Sequence, residues 1–498
     1  MGSLVIGFDL DGVMFNHAKF KVGVLKELHG IELEEWKLSS NVIDEYLSDK
    51  NIRHEIGALA GTTERSELIF DNTKDILQKL KDQGFILYLV SRRGKSELGT
   101  INAKKSIENL GLDKFFDDIF YCQREIDKIN KIYELGVDVF IDDRIETIDE
   151  LSHNIKYPIL FDNYKIIENG YVKTQSKCDI AQSFSEILTL VEKYEDLEFR
   201  NKINECIENV ESISLETKTG NVVYRVANES GKVFYAKFYK CDGVKHKDNE
   251  LMIYSLNLSS QKYFKNVVMQ GRLNNVDFAI FEEVKGELLS SVVQNNNTPD
   301  EVFSRVAYTF DEITRDLFQV KTIGFGKLNG ELTAPYDNFL DFIKDYVVPT
   351  QNTLKSNLET SKYADIIDKI LDKYPHIFDN VPAGLVPMDN NFNNIIIDGE
   401  KVIFIDPGAV ISAPIYMGYG EFTAHSFSTK IYDEFKALKK FTLDEEIKVR
   451  AFACFSLLNV MAFLVRIGKS NFNQMTPFGN TSSFNTLLEL HLKFLNIE

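Results

Sequence analysis

Leu4-Val5-Ile6-Gly7-Phe8-Asp9-Leu10-Asp11-Gly12-Val13 is the first hydrophobic run of the chain, and it ends in two carboxylates one residue apart. The apolar run predicts a buried strand, and Gly12 predicts a turn directly after the second acid. In an open α/β sheet, ligands gather beyond the carboxyl ends of the strands. Two acids delivered there suit cation binding, nucleophilic chemistry or both. Taken alone, so short a motif fits a solvated acidic turn equally well, so the neighbouring strand ends decide its meaning.

Strand-like runs recur at Phe85–Val90, Ile119–Tyr121, Val137–Ile141 and Tyr157–Phe161. Helical patterns lie between them, at Thr73–Asp82, Lys104–Leu110 and Lys128–Leu135. This alternation predicts an α/β fold with a doubly wound parallel sheet. Residues 15–67 break the alternation and read as helices inserted after the first strand, a cap over its end. From Asp179 to about Ile207 the pattern turns helical and highly charged, as a link between domains would.

The second half changes style. Val222–Val226 and Val233–Tyr239 read as a hairpin around Asn228-Glu229-Ser230-Gly231, followed by a helix near Asp248–Leu256. Further strands are expected at Asn266–Gly271 and Phe278–Val284. Beyond Pro299 helices dominate, interrupted by a strand pair at Asn394–Ile397 and Val402–Ile405.

The chain has 498 residues, 44% hydrophobic and 27% charged, enough for two or three domains with large cores. Its net charge is -18, which repels phosphate backbones and anionic lipid. Neither a nucleic-acid nor a membrane partner is therefore expected. Cys122, Cys178, Cys206, Cys241 and Cys454 show no paired spacing, as expected of reduced thiols in a cytoplasmic protein. No secretory signal or apolar run of membrane-spanning length is read.

Four signals fall at consecutive strand ends. Asp9 and Asp11 end the first strand, Ser91 ends Phe85–Val90, and Asp142-Asp143 end Val137–Ile141. Lys128 opens the helix before that last strand, with Lys131 one turn further on. Strand ends converge, so these side chains would share one pocket. Such a set suits phosphoryl transfer through an aspartyl phosphate, with a nucleophilic carboxylate, an acid/base and oxygen ligands for Mg²⁺. Arg92-Arg93 beside Ser91 would meet a second anionic group of the substrate or stay in solvent.

This pattern resembles the haloacid dehalogenase superfamily, its phosphatases and 5′-nucleotidases above all. The resemblance implies that Asp9 is the nucleophile and Asp11 the general acid/base. It implies that Ser91 and Lys128 hold the phosphoryl group, that Asp142 ligates Mg²⁺ with Asp9, and that Asp143 supports it. Asp11 is counted with Asp9 and Asp142 among the metal-site residues.

A second constellation lies further on. Gly220–Val226 contains a glycine turn, Lys237 sits on the following strand, and Glu250 sits on the next helix. In Pro387-Met388-Asp389-Asn390-Asn391-Phe392-Asn393-Asn394, an asparagine follows an aspartate by five positions. Asp406 ends the next strand. Kinases use such a set as base, metal ligands and phosphate-binding lysine.

The region resembles the aminoglycoside phosphotransferase family, with its choline and fructosamine kinase relatives. The resemblance makes Asp389 the base, Asn394 and Asp406 the Mg²⁺ ligands, and Lys237 with its partner Glu250 the phosphate-binding pair. Glu282 and Val284 would form the hinge that reads adenine. The family has His-Gly-Asp where this chain has Pro387-Met388-Asp389. The tract Ala409–Phe422 would line the acceptor site or the core, and His425 is expected to be structural.

Together these features predict a phosphatase domain at residues 1–190, a helical linker at 191–204 and a bilobal protein-kinase-like α+β domain at 205–498. The expected activities are a Mg²⁺-dependent phosphatase for a small phosphorylated metabolite and an ATP-dependent kinase for a small-molecule hydroxyl. The rival expectation is an active phosphatase joined to a degenerate kinase-like module for binding or regulation. A polynucleotide kinase–phosphatase is disfavoured, because no P-loop motif is present.

Overall fold

The computed structural model describes residues 4–95, 97–174, 177–217, 221–240, 244–295, 297–328, 330–469, 472 and 482–497. Gly220 of the expected glycine turn, and Cys241, lie outside them. The chain divides into two compact units. One holds Met1–Tyr224, Lys237–Asp242 and Gly271–Phe278; the other holds Arg225–Ala236, Gly243–Gln270 and Ala279–Glu498.

Strands β1 (Val5–Phe8), β2 (Ile86–Arg92), β3 (Asp118–Cys122), β4 (Val139–Asp142), β5 (Tyr157–Phe161) and β6 (Asp179–Ala181) build a six-stranded sheet. Its order is β3-β2-β1-β4-β5-β6, and every neighbouring pair is parallel. The direction of strand addition reverses between β1 and β4, so a crevice opens at their carboxyl ends. The helices are α1 (His17–His29), α2 (Ile43–Tyr46), α3 (Lys50–Thr62), α4 (Thr73–Asp82), α5 (Glu97–Asn109), α6 (Glu125–Glu134), α7 (Ile145–Leu151) and α8 (Phe184–Cys206).

Side chains alternate across a strand, so each strand feeds two cores. Ile6, Phe8, Leu87, Leu89 and Ile141 pack with Leu77 of α4, Ile107 of α5 and Ile187 of α8. Val90 and Phe140 face the other way, onto Ile129, Ile132 and Leu151 of α6 and α7. Each such side chain contributes about 1.5–3 kcal/mol by leaving water. Helices α1 and α3, with the segment between them, carry a small core of their own, with Leu25, Leu38, Leu47 and Ile56. The expected inserted helices are thus present within residues 15–67.

Two boundaries differ from expectation. Asp179–Ala181 is an edge strand on β5, not the start of a helix, because its backbone completes the ladder before Ser183 caps α8. Lys128 sits in the second turn of α6 and does not open it. The Asp127 carboxylate accepts from the Arg124 amide and starts the helix earlier.

Strands β7 (Val210–Thr217), β8 (Asn221–Asn228), β9 (Val233–Tyr239), β10 (Val267–Leu273) and β11 (Val276–Glu282) form a sheet of order β10-β11-β9-β8-β7. Two small antiparallel sheets follow. One holds β12 (Glu287–Leu288), β15 (Ile395–Asp398) and β16 (Lys401–Phe404); the other holds β13 (Gly326–Lys327), β14 (Gly384–Pro387) and β17 (Val410–Ala413). The second of these was not read from sequence, since its short strands lie far apart in the chain with no hairpin turn to join them.

The helices of this unit are α9 (Val244–Ser255), α10 (Leu289–Gln294), α11 (Asp300–Phe318), α12 (Phe339–Lys355), α13 (Ile366–Lys373), α14 (Ile415–Ser426), α15 (Lys430–Lys439), α16 (Leu443–Arg466) and α17 (Phe484–Phe494). Helix α16 corrects one expectation: its 24 residues are long and apolar enough to cross a membrane. It is instead a core helix in this fold, 67% buried across its apolar window, with Phe452, Leu457 and Met461 in the central cluster. The tract Ala409–Phe422 forms β17 and the start of α14, and it is largely buried.

Candidate functional site

The turn after β1 sets the first site. The Asp9 amide donates to the Ile141 carbonyl at 2.9 Å, which ties this turn to β4. Gly12 has φ +88°, and a side chain there would run into the Asp143 carboxylate. Glycine is required both for that backbone conformation and for the close approach. The sheet register brings Asp9 and Asp142 together, and Lys128 rises between them from α6. Its ammonium donates to Asp9 Oδ1 at 2.7 Å and to Asp142 Oδ2 at 2.6 Å. All three side chains are buried. Of the two candidate lysines, Lys128 is the one in the site; Lys131 pairs with Glu134 at 2.6 Å.

Oxygen atoms of Asp9, Asp142 and Asp143 lie within 4.8 Å of one another. Burial and the neighbouring Asp142 and Asp9 charges push the Asp143 carboxyl up to about 8. Burial also raises Asp9, while Lys128 pulls it down. Lys128 is held above its ordinary value because Asp142 and Asp9 outweigh the cost of its burial. Three hard oxygen donors packed this tightly suit a small divalent cation such as Mg²⁺, whose charge would relieve their mutual repulsion.

Asp11, expected among the metal-site residues, lines the same cavity but is not part of that cluster, where Asp143 stands instead. Arg93 is ion-paired to Asp11, and His17 Nδ1 stands 3.5 Å from Asp11 Oδ1 without a hydrogen bond. Burial, with Lys21 and Arg65 nearby, pushes His17 well below its ordinary value and keeps the ring neutral. Ser91 is buried at the end of β2, on the wall of the same cavity as Asp9, Asp11 and Lys128. Two contributors were missed in the sequence. Arg93 was read as an anion binder or a solvated loop arginine, yet it grips Asp11. Asn41, beyond α1, donates to the Asp143 carbonyl at 2.7 Å and accepts from the Ile145 amide at 3.0 Å. No sequence signal marks such a long-range amide contact.

Removing Lys128 tests the electrostatics directly. Lys128→Met strips the cation from two buried carboxylates and should destabilise the first unit by about 3–5 kcal/mol without divalent cation. Urea unfolding with and without Mg²⁺ measures it, and added Mg²⁺ should recover part of the loss.

The second site lies at the end of the β15–β16 hairpin. Ile395 pairs with Phe404, and the Ile405 amide donates to the Asn394 carbonyl at 2.8 Å, so Asp406 follows beside Asn394. Asn394 Nδ2 donates to the Asp389 carboxylate at 3.2 Å and to its carbonyl at 3.0 Å. Asn391 Nδ2 reaches the same carboxylate at 2.6 Å. Asp389 and Asp406 both have φ +62°, a left-handed conformation uncommon for aspartate and often found at functional sites.

Helix α14 holds the loop after Pro387 from behind. Buried Glu421 accepts from the Asn390 amide at 3.1 Å, from Asn390 Nδ2 at 2.6 Å and from His425 at 2.9 Å. Burial, with Glu421 close by, raises Asp389 above the usual carboxylate range. Burial alone would lower His425, but the charge and hydrogen bond of Glu421, with Asp389 further off, push it up. A raised histidine stabilises the fold below its unfolded value, and that contribution fades as pH rises through the folded one. The His425 contribution to the denaturant midpoint of the wild type should therefore fall as pH rises above the ordinary histidine value of about 6.5. His425→Gln should flatten that fall.

Lys237 lies on β9, its ammonium 4.9 Å from the Tyr239 ring centre. Glu250 on α9 is buried and pairs with Lys265 at 3.4 Å, a lysine that also sits 3.7 Å over the Phe281 ring. Lys265 was not singled out in the sequence. Glu282 ends β11 and accepts from Asn266 at 3.0 Å, and Val284 follows just beyond the strand.

No family model matches the chain. Two nucleotide-binding proteins of Clostridium botulinum, from strains Eklund 17B and Alaska E43, are each 26% identical over 182 residues. The match takes in 29% of this chain, and the chain spans 62% of the length of those relatives. Among solved structures, aminoglycoside phosphotransferase (4)-Ia shares 13% identity, with 60% of this chain and 97% of that one covered and a TM-score of 0.44. Aminoglycoside 2′-phosphotransferase-IIIa, in its GDP complex, shares 13% identity over 61% of this chain and 97% of its own, with a TM-score of 0.43.

Proposed function

We propose that the chain is a bifunctional phosphoryl-transfer enzyme acting on small molecules in the cytoplasm. The observation that supports the phosphatase reading best is the buried Lys128 ammonium shared by Asp9 and Asp142, with Asp143 against them. An Asp9 carboxylate oxygen attacks phosphorus, the phosphorus–oxygen bond to the leaving group breaks, and Asp11 gives that group its proton. Asp11 then takes a proton from the water that attacks the aspartyl phosphate, releasing inorganic phosphate and restoring Asp9. Ser91 and Lys128 hold the phosphoryl oxygens. Mg²⁺ held by Asp9, Asp142 and Asp143 would supply charge neutralisation there.

For the kinase reading the supporting observation is Asp389 bonded to Asn394, with Asp406 adjoining and both aspartates in the left-handed region. Asp389 accepts the proton of the acceptor hydroxyl as its oxygen attacks the γ-phosphorus of ATP and ADP departs. The donor set of Asn394 and Asp406 suits Mg²⁺, which would neutralise the ATP phosphates. Lys237, Glu250, Glu282 and Val284 are proposed for the nucleotide. Nucleotide binding by the Clostridium relatives accords with this reading.

Pro387 in the histidine position favours a second reading, in which the kinase-like part binds nucleotide without turnover. One paired screen tests both. Release of phosphate from phosphorylated metabolites is followed with Mg²⁺, beside ADP formation over sugars, amino alcohols and aminoglycosides. ATP binding without ADP formation across that panel would replace the kinase with a binding module. Absence of phosphate release would remove the phosphatase.

A further inference from the structure

The cavity over Asp9 and Asp11 has a volume of about 920 Å³, far more than one phosphoryl group fills. Its wall is cationic. Beyond the reacting groups at its floor it is lined by Lys21, Lys50, Arg53, Arg92, Lys95 and Arg144. Only Asp44 and Glu125 oppose them there. This is an inversion for a chain of net charge -18, and it concentrates positive potential where the substrate enters.

The arginines are already engaged. Arg53 pairs with Asp44 at 3.0 Å, and Arg92 and Arg144 share Glu125 at 3.4 and 3.0 Å. Lys50 and Lys95 have no carboxylate within ion-pair distance among the described residues, and both are exposed. Lys21 is buried and donates only to a backbone carbonyl, that of Leu38 at 3.3 Å. Between the floor and Lys50, one wall is Gly57, Ala58 and Gly61 of α3, where Gly57 and Gly61 leave open space beside their backbone. This part of the wall carries no charge at Gly57, Ala58 and Gly61, while Lys50, Arg53 and His54 line the cavity nearer the start of the same helix.

From this we infer that the substrate carries two anionic groups. One is the phosphoryl group over Asp9; the other is a phosphate or carboxylate drawn to the unpaired cations of the wall, Lys50 and Lys95, with a short uncharged body against Gly57, Ala58 and Gly61. The inference rests on the phosphatase reading and names its substrate class.

Three compounds of similar length test it: propyl phosphate, 4-phosphobutyrate and 1,3-propanediol bisphosphate. The wild type should hydrolyse the two doubly anionic compounds with kcat/KM at least roughly tenfold above propyl phosphate, mainly through KM. The preference should shrink as salt is raised. The Lys50→Gln/Lys95→Gln double variant changes only exposed side chains and should lose the preference while keeping propyl phosphate turnover. Equal kcat/KM for all three, or a preference that survives in the double variant, overturns the inference and leaves the phosphatase intact. If none is hydrolysed, the phosphatase reading fails, and calorimetry decides the cavity. Salt-sensitive binding of the bisphosphate, tighter than inorganic phosphate and weakened in the double variant, supports the second anion site. Equal binding of the two rejects it.

Discussion

Asp9→Asn abolishes phosphate release, by about 10⁴-fold or more in kcat, and leaves ATP-dependent transfer at the wild-type rate. The size follows from chemistry: an amide oxygen is not a nucleophile, and no second carboxylate stands in its place. Asp142 and Asp143 are the near neighbours, and both are occupied as cation ligands in this reading. The substitution preserves volume, so the turn, the bond to Ile141 and the Gly12 approach persist. Asp11→Asn gives a complementary result. With a labelled monoester whose leaving group needs no protonation, such as p-nitrophenyl phosphate, the first step survives, no base activates water, and the aspartyl phosphate accumulates and is trapped by acid quench. Phosphate release surviving in Asp9→Asn at more than a tenth of wild type would reassign the nucleophile.

The second large effect lies in the other unit. Asp389→Asn should lower ADP formation by about 10²–10⁴-fold while phosphate release from monoesters is unchanged. The amide cannot accept the hydroxyl proton, although it keeps hydrogen bonds to Asn391 and Asn394. KM for ATP should hold in Asp389→Asn and rise in Asp406→Asn, because the first handles a proton and the second holds a metal. Each variant is the control for the other site. Loss of both activities in either variant would mean that one site does all the chemistry.

The alternation of strands and helices was legible because the central strands β1, β4 and β5 are buried on both faces and read as unbroken apolar runs, whereas the edge strand β6, three residues long and partly exposed, was taken for the start of a helix. Asp9, Asp142 and Lys128 were legible as a set because parallel strands converge at their ends, so motif spacing becomes geometry. The hairpin carrying Asn394 and Asp406 was legible for the same reason, since local pairing fixes it. What escaped depends on distance along the chain. Arg93 lies two residues from Ser91, yet its grip on Asp11 depends on how the loop after β2 folds back. Glu421 and His425 stand more than thirty positions from the loop they support, on a helix whose composition reads simply as core. Lys265 on Glu250 joins two elements with no shared period. The short strands β13, β14 and β17 lie far apart in the chain, so no hairpin turn marks their pairing as it does for β15 and β16.

Asn41 links two parts of the first unit that substrate entry would otherwise separate. Its one amide holds both sides of the turn carrying Asp142 and Asp143, from a segment belonging to the inserted helices. Displacing that segment must either break two hydrogen bonds or drag the acidic turn with it. The position of the inserted segment and that of the Asp143 backbone are therefore tied to each other by one side chain.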